Sequence, residues 1–287
     1  MTRKSPIRWL AALGAACLLA LPAMQAQADA GSLKARYGEL HDELSHNAYG
    51  RQMYIDSKEG SNALQGDVYA VVDHPFDQVK GALQDPNAWC DIMLLPFNTK
   101  YCHASGSNLA VRIGRKYNQP VEQAYRIDFS FQPVAASSDY LETRLNAASG
   151  PVGTRDYRIN LEAVPLDNGK TFMHMSYAYG YGGASKMAMS LYLNTAGADK
   201  VGFSQSNGQY TGGVRGAIER NAMRYYLAID SYLDTMSAPE AQRVDKRINA
   251  WFSAAERYPR QLHEMDRGTY VTMKRAEYDR QQTAALN

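Results

Sequence analysis

Apolar and polar positions alternate in several separate runs through the middle of the chain. A period of two places successive side chains on opposite faces of a strand. The runs cover residues 64–72, 109–113, 125–131, 141–145, 157–161 and 171–181. Short turn sequences such as Asp167-Asn168-Gly169 separate them, and short connections join neighbouring antiparallel strands. The pattern therefore predicts a curved antiparallel meander with one apolar face and one charged face.

Other segments repeat with the helical period. Near the start, Leu33, Tyr37, Leu40 and Leu44 form one apolar face. Residues 214–236 predict one long helix of about six turns, long enough to cover the apolar face of the sheet. A shorter apolar helix is predicted around 187–193, between two glycine-rich stretches.

The stretch VYAVVDHPFDQVKGALQDPNAW at 68–89 predicts a strand, a tight connection and a short helix. We expect Asp73 to cap this helix and the residue pair Asp85-Pro86 to end it. The stretch resembles the first strand and helix of the START-like (SRPBCC, or helix-grip) superfamily. The residues that carry the resemblance are Pro75, Phe76, Val79, Leu83, Asp85 and Trp89.

The resemblance covers about 62–236 and implies an α+β helix-grip fold. In that fold a curved antiparallel sheet surrounds a long C-terminal helix, and a hydrophobic cavity lies between them. The insertion at 182–213 and the extra helical tail at 237–287 depart from the family pattern. We interpret the insertion as a candidate lid over the cavity, with a fixed helix that completes the core as the alternative.

The first residues have the features of an export signal. Basic residues Arg3, Lys4 and Arg8 precede a short apolar stretch, and Ala26-Gln27-Ala28 form a small-residue cleavage site. We predict a signal peptide at 1–28 and export to the periplasm or beyond, with an uncleaved anchor as the alternative. Residues 29–61 are then an N-terminal helical extension of the 62–236 domain.

Charge and cysteine content narrow the class of protein further. Without its first 28 residues the chain has 28 basic and 29 acidic side chains, which argues against a nucleic-acid partner. Cys90 and Cys102 are the cysteines that remain, and an oxidising compartment favours a disulfide between them. A catalytic thiol or metal site is the alternative, but His103 points away from Cys102 in an extended strand.

Motifs for catalysis are missing from the sequence. It has no G-x-S-x-G, S-x-x-K, H-E-x-x-H or C-x-x-C pattern, so we expect neither a metal site nor a cofactor. His174 is the one candidate general base, yet no acid partner is recognisable in the sequence. A structural role is the favoured interpretation of His174.

The predicted function is binding of a hydrophobic small molecule, foremost a lipid, for transport or sensing in the periplasm, with transient membrane contact. Methionine adapts to ligand shape, and tyrosine adds a ring and one hydroxyl. The expected ligand contacts are Trp89, Phe129, Phe131, Met173, Met175, Tyr177, Tyr179, Met187, Leu191 and Tyr226. One strand arginine could pair with a lipid head group, although ion pairs on the outer face are the alternative. Two other functions stay open: a cyclase- or hydrolase-type enzyme that uses a pocket histidine, and an interaction module with a filled interior.

Overall fold

A computed structural model of the chain describes residues 29–195 and 197–283. The predicted signal peptide therefore lies outside the described residues. Eight strands form one antiparallel sheet in the order β1-β2-β8-β7-β6-β5-β4-β3. They are β1 (Met53–Glu59), β2 (Ala63–Val72), β3 (Thr99–Ser105), β4 (Asn108–Ile113), β5 (Tyr125–Ala136), β6 (Leu141–Ser149), β7 (Arg155–Pro165) and β8 (Thr171–Gly180).

Helices cover both faces and the ends of this sheet. They are α1 (29–39), α2 (His41–Ser45), α3 (Phe76–Leu83), α4 (Pro86–Leu94), α5 (Gly183–Leu193), α6 (Gly213–Asp234), α7 (Glu240–Ala255), α8 (Pro259–Leu262) and α9 (Arg267–Thr283). A short hairpin, β9 (Gln205–Ser206) with β10 (Gln209–Tyr210), lies between α5 and α6. Among the described residues, no helix is long and apolar enough to cross a bilayer.

The long helix α6 crosses the concave face of the sheet, as the α+β helix-grip prediction requires. Ile218, Ala222 and Met223 are fully buried between helix and sheet. At Gly66 on β2 a Cβ atom would lie 3.2 Å from the carbonyl oxygen of Ile218, so a glycine allows the strand to approach the helix closely. The concave face and α6 together form the main core, and the predicted fold class is confirmed.

The amphipathic helix near the start packs on the opposite, convex face. Leu33 and Leu40 are buried there against the β8 residue Phe172. The Tyr37 ring lies 5.0 Å from the Phe172 ring, centroid to centroid. Apolar convex positions of β2, β7 and β8 therefore have a helical cover, and the convex face is less charged than the alternation predicted.

The structure contains two elements that the sequence pattern did not predict, strand β1 and helix α4. Strand β1 pairs with β2 within the segment that was expected to be a helical extension. The predicted end of the first helix is confirmed, because α3 ends at Leu83, just before Asp85-Pro86. Asp85 also caps a second helix, α4, which the pattern did not predict, by accepting a hydrogen bond from the Asn87 backbone N–H at 2.8 Å. The predicted cap at Asp73 is wrong, because α3 starts at Phe76 after Pro75 and has no side-chain cap.

The covalent and ionic contacts of β3 attach it to helices on both sides. Cys102 on β3 is disulfide-bonded to Cys90 on α4, with a Cα–Cα distance of 5.1 Å. On α9, the buried carboxylate of Glu277 accepts from Lys100 at 3.0 Å and from Lys274 at 2.7 Å. Burial lowers the pKa of Lys274 to about 8, against the opposing effect of Glu277. These contacts fix the C-terminal helices against the sheet edge.

Candidate functional site

A cavity of about 230 Å³ lies between the concave face of the sheet and α6. The turn Pro151–Gly153 and the helix α5 border it. Its apolar and aromatic lining consists of Ile113, Ile127, Phe129, Pro151, Val152, Tyr157, Tyr177, Tyr179, Ala188 and Tyr225. Its polar lining consists of Asn98, Thr154, Ser185 and Asn221. The hollow occupies one end of the concave face, whereas Met173 and Met175 on the same face of β8 are fully buried in the core.

Five aromatic rings form the walls of the cavity. The Tyr157 and Tyr179 rings stack with centroids 5.3 Å apart, and Phe129 meets Tyr157 edge-on at 6.3 Å. The Tyr177 ring of β8 contacts the Tyr225 ring of α6 at the edge of the cavity, with centroids 5.3 Å apart. Such rings offer planar apolar surfaces on which a flat ligand can stack.

The close contact between Gly150 and the Tyr157 ring fixes the position of Tyr157. A Cβ atom at Gly150 would lie 2.4 Å from a carbon of the Tyr157 ring, so only glycine fits beneath that ring. The Tyr157 hydroxyl donates to Thr154 Oγ1 at 2.8 Å, which fixes the other end of the side chain. Tyr157 is thereby a rigid wall between strand β7 and the turn that borders α5.

Three phenol hydroxyls at the cavity have no hydrogen-bond partner among the described residues. They belong to Tyr177, Tyr179 and Tyr225, and each side chain is mainly buried. Burial raises the pKa of all three hydroxyls above the ordinary tyrosine value, so they stay protonated at neutral pH. A ligand carbonyl or hydroxyl can therefore accept a hydrogen bond from them.

Ionic groups are absent from this lining within residues 29–195 and 197–283: no Asp, Glu, Lys, Arg or His borders the cavity. No strand arginine borders the cavity in the described part of the chain, and two of them pair elsewhere: Arg126 with Asp128 at 2.8 Å and Arg144 with Glu142. A charged ligand would lose its hydration without gaining an ionic partner. The cavity therefore favours a neutral molecule.

The structure brings three of the ten predicted contact residues to this cavity: Phe129, Tyr177 and Tyr179. Five others are buried in the packed core: Trp89, Phe131, Met173, Met175 and Tyr226. The last two, Met187 and Leu191, lie on α5 but point to solvent. Tyr157 and Tyr225 were missed, although Tyr157 is in phase with Ile159 and Leu161, and Tyr225 lies one turn after Asn221.

His174 lies on the convex face, so it does not reach the cavity. Residues 173, 175, 177 and 179 of β8 face α6, and the intervening positions face the other way. The sequence did not reveal an acid partner for His174, and the structure shows two: its ring nitrogens lie 2.9 Å from Asp67 Oδ1 and 3.0 Å from Glu162 Oε2. Tyr69 stacks on the ring with a centroid distance of 4.2 Å.

These contacts favour the protonated form of the His174 imidazole. Burial alone would lower its pKa, but the hydrogen bonds to Asp67 and Glu162 outweigh it and raise the pKa. The pKa values of Asp67 and Glu162 are lowered by the same bonds, although burial acts in the opposite direction. Both ring nitrogens face a carboxylate, and in the protonated form of His174 neither has a lone pair that can accept a proton from a ligand. His174 is a structural ion-pair centre rather than a general base.

A second hollow lies on the other flank of α5. This groove of about 470 Å³ has an apolar floor that includes Tyr181, Met189 and Val214, and polar side chains stand at its rim. We call the 230 Å³ cavity the tyrosine cavity. Ser185 and Ala188 of α5 line the tyrosine cavity, whereas Met189 and Leu193 line the groove. Helix α5 thus separates the two spaces, and Ser185 is its one buried side chain.

One cluster has the residue types of a metal site. His74, Asp230 and Asp234 offer ligand atoms within 4.8 Å of one another. However, Arg51 donates to both carboxylate oxygens of Asp230, at 2.7 and 3.0 Å, and His74 Nε2 lies 2.9 Å from Asp234 Oδ1. Protein groups thus occupy the oxygens of Asp230 that a cation would need. We interpret the cluster as an ion-pair network between the N-terminal segment and α6.

No protein-family model matches the chain, and no curated protein matches it. Among solved structures, it is similar to a conserved protein from Geobacillus kaustophilus (10% identity, 59% of this chain and 95% of that chain, TM-score 0.37). It is also similar to norcoclaurine synthase from Thalictrum flavum in complex with dopamine and hydroxybenzaldehyde (12%, 67% and 93%, TM-score 0.36). A third is Zhui aromatase/cyclase from Streptomyces sp. R1128 (14%, 72% and 95%, TM-score 0.31). The helix-grip assignment itself follows from the strand order and from the position of α6 on the concave face of the sheet.

Proposed function

We propose that this protein binds a neutral, mainly apolar molecule of one or two rings in the tyrosine cavity. The observation that supports this is the combination of five aromatic rings, three unpaired phenol hydroxyls and no ionic side chain in the described lining. Stacking selects planar ligands, and the hydroxyls select ligands with an acceptor group. Burial of about 150–250 Å² of ring surface stabilises the complex by roughly 4–6 kcal/mol before the cost of association.

Binding without catalysis is the role that this chemistry supports. General acid–base catalysis requires a titratable group within hydrogen-bond reach of the substrate. The titratable groups at the cavity are tyrosines whose pKa values are raised by burial, and His174 faces away. Carriage or sensing of the ligand after export to the periplasm completes the proposal, on the strength of the signal-like sequence at 1–28.

A long-chain lipid, the ligand class that the sequence favoured, requires a larger space. Ligand pockets have typical volumes of about 300–1,000 Å³, which exceed the 230 Å³ of this cavity. Outward movement of α5 would join the cavity to the 470 Å³ groove on its other flank. Lipid binding is therefore the second candidate, and it depends on α5 acting as a lid hinged near Gly182 and Gly197.

Native mass spectrometry of protein isolated from its own cells tests the proposal. We expect a bound neutral compound at one molecule per chain, released by organic extraction. In the variant Ile127→Trp, a larger side chain enters the cavity from β5, and the compound should be lost while the fold is retained. Equal retention of the compound by Ile127→Trp, or an anionic compound in place of a neutral one, would refute binding of a neutral ligand in this cavity.

A further inference from the structure

Helix α5 presents an apolar stripe to solvent. Ala184, Met187, Ala188 and Leu191 are spaced i, i+3, i+4 and i+7, which is the pattern of a helix face that packs on a core. Ala188 borders the tyrosine cavity, whereas Met187 and Leu191 face solvent and are 77% and 66% exposed. Monomeric proteins rarely expose contiguous apolar surface without a binding role.

The exposed apolar side chains of this protein are concentrated at the same end. Within residues 29–195 and 197–283 there are six exposed large apolar side chains. Two of them, Met187 and Leu191, lie on α5, and two more, Val152 and Tyr117, lie in segments next to it. Val152 projects from the turn that contacts α5. Tyr117 follows Lys116, whose Nζ lies 3.5 Å from the Tyr192 hydroxyl of α5. Three separate chain segments therefore expose apolar side chains around one edge of the cavity.

Positive charge accompanies these side chains. Arg115 and Lys186 have no acidic partner within 4.0 Å in the part of the chain that the structure describes. Lys116 shares Glu264 with Arg224, at 2.6 and 2.8 Å. Cations beside exposed apolar and tyrosine side chains match the interface of a membrane that contains anionic lipids.

We propose that this end of the protein, defined by Tyr117, Val152, Met187 and Leu191, docks on a bilayer that contains anionic lipid. Helix α5 is about 16 Å long and about 10 Å wide. Its exposed side is therefore much smaller than the roughly 800 Å² per partner that a stable protein complex buries. Side-chain tips from three segments form protrusions rather than a groove, so they fit the fluid boundary between head groups and acyl chains. Docking would hold the edge of the cavity at the bilayer surface.

Vesicle co-sedimentation of the mature chain tests this surface. The probe is vesicles of phosphatidylcholine mixed with phosphatidylglycerol. We expect the wild type to sediment with them and the double variant Met187→Asp/Leu191→Asp to bind at least about tenfold more weakly, because each buried apolar side chain is worth about one order of magnitude. Val134→Asp is the matched control: Val134 is 45% exposed and lies about 30 Å along β5 from the end that carries Tyr125.

The result separates membrane docking from ligand binding in the cavity. Met187 and Leu191 point away from the tyrosine cavity, so the double variant should keep the cavity ligand and the circular dichroism spectrum of the wild type. A wild type that stays in the supernatant, or a Val134→Asp variant that loses as much binding as the double variant, would overturn the proposal. Neither result bears on ligand binding in the cavity, which the Ile127→Trp variant tests separately.

Discussion

Tyr177 on β8 and Tyr225 on α6 face each other with ring centroids 5.3 Å apart, and their hydroxyls have no partner among the described residues. Sheet and helix therefore each contribute one donor to the same small space. Both hydroxyls border the open space of the cavity, where water or a ligand can accept their hydrogen bonds. This pair is where we expect a ligand to be oriented.

Substitution of Tyr225 tests the hydrogen bond separately from the ring. Tyr225→Phe keeps the ring and removes the hydroxyl, so an acceptor ligand should bind about 2- to 12-fold more weakly, the equivalent of about 0.5–1.5 kcal/mol. Isothermal titration calorimetry gives the dissociation constants. Tyr125→Phe removes a hydroxyl that is exposed outside the cavity, and it should leave the affinity unchanged. Equal effects of the two variants would contradict a role for the Tyr225 hydroxyl.

Helix α5 is the second feature with a measurable consequence. It has one buried side chain and separates two hollows, so its local opening should be easier than that of the sheet. We predict that backbone amides at 186–194 exchange with solvent at least about tenfold faster than those of β8. Hydrogen exchange with mass spectrometry compares the two segments in one sample. Exchange as slow in α5 as in β8 would favour a fixed helix over a lid.

The His174 network predicts a specific pH dependence of stability. The folded-state pKa of His174 is raised, so its stabilisation is complete below the unfolded value of about 6.5 and is lost as pH rises through the folded value. The pKa values of Asp67 and Glu162 are lowered, so their stabilisation is present above about 4 and is lost at lower pH. The network should therefore stabilise most between about pH 5 and 6.5.

The variant His174→Gln makes this dependence measurable. We expect it to lower the free energy of unfolding by about 1–3 kcal/mol near pH 5.5, because two buried carboxylates lose a charged partner. The difference from the wild type should shrink as pH rises above the folded pKa of His174. Urea unfolding across the pH range gives both curves. A difference that stays constant from acid to alkaline pH would show that His174 is not charged in the folded protein.

The disulfide contributes a further stability term. Cys90 and Cys102 are 12 positions apart, and closing so short a loop stabilises by about 3 kcal/mol in the chain-entropy model. Cys90→Ala/Cys102→Ala should lower the free energy of unfolding by about that amount, measured by denaturant titration. Treatment of the wild type with reductant should produce the same shift, whereas the variant should not respond to it. No effect of reductant on the wild type would mean that the bond does not form.

Local patterns predicted most of the sheet but not its edges or its hollow. Strands β5 to β8 alternate clearly because one face of each packs on α6, so the period of two was visible in the sequence. The sequence pattern did not predict strand β1, because the polar residue Ser57 occupies an inward position. There it is buried and donates a hydrogen bond to Glu219 of α6. That bond joins residues 162 positions apart, and no local window contains it.

Strand alternation could not predict the position of the cavity. Met175 and Tyr177 are two positions apart on the same face of β8, yet one lies in the packed core and the other at the hollow. The difference depends on where α6 diverges from the sheet and on how α5 covers the end, which are tertiary properties. Alternation identifies a face, whereas the depth along that face depends on the packing of distant helices.

The most direct test of the cavity proposal compares two ligands of the same shape and different charge. Naphthol is a neutral two-ring compound with one hydroxyl, and naphthoate replaces that group with a carboxylate. We predict that naphthol binds the wild type with one site and that Ile127→Trp abolishes this binding. Naphthoate should bind at least about tenfold more weakly, because the described lining offers its carboxylate phenol donors but no cation to offset the loss of hydration. Equal binding of both compounds, or naphthol binding unaffected by Ile127→Trp, would contradict a neutral-ligand cavity between Tyr177 and Tyr225.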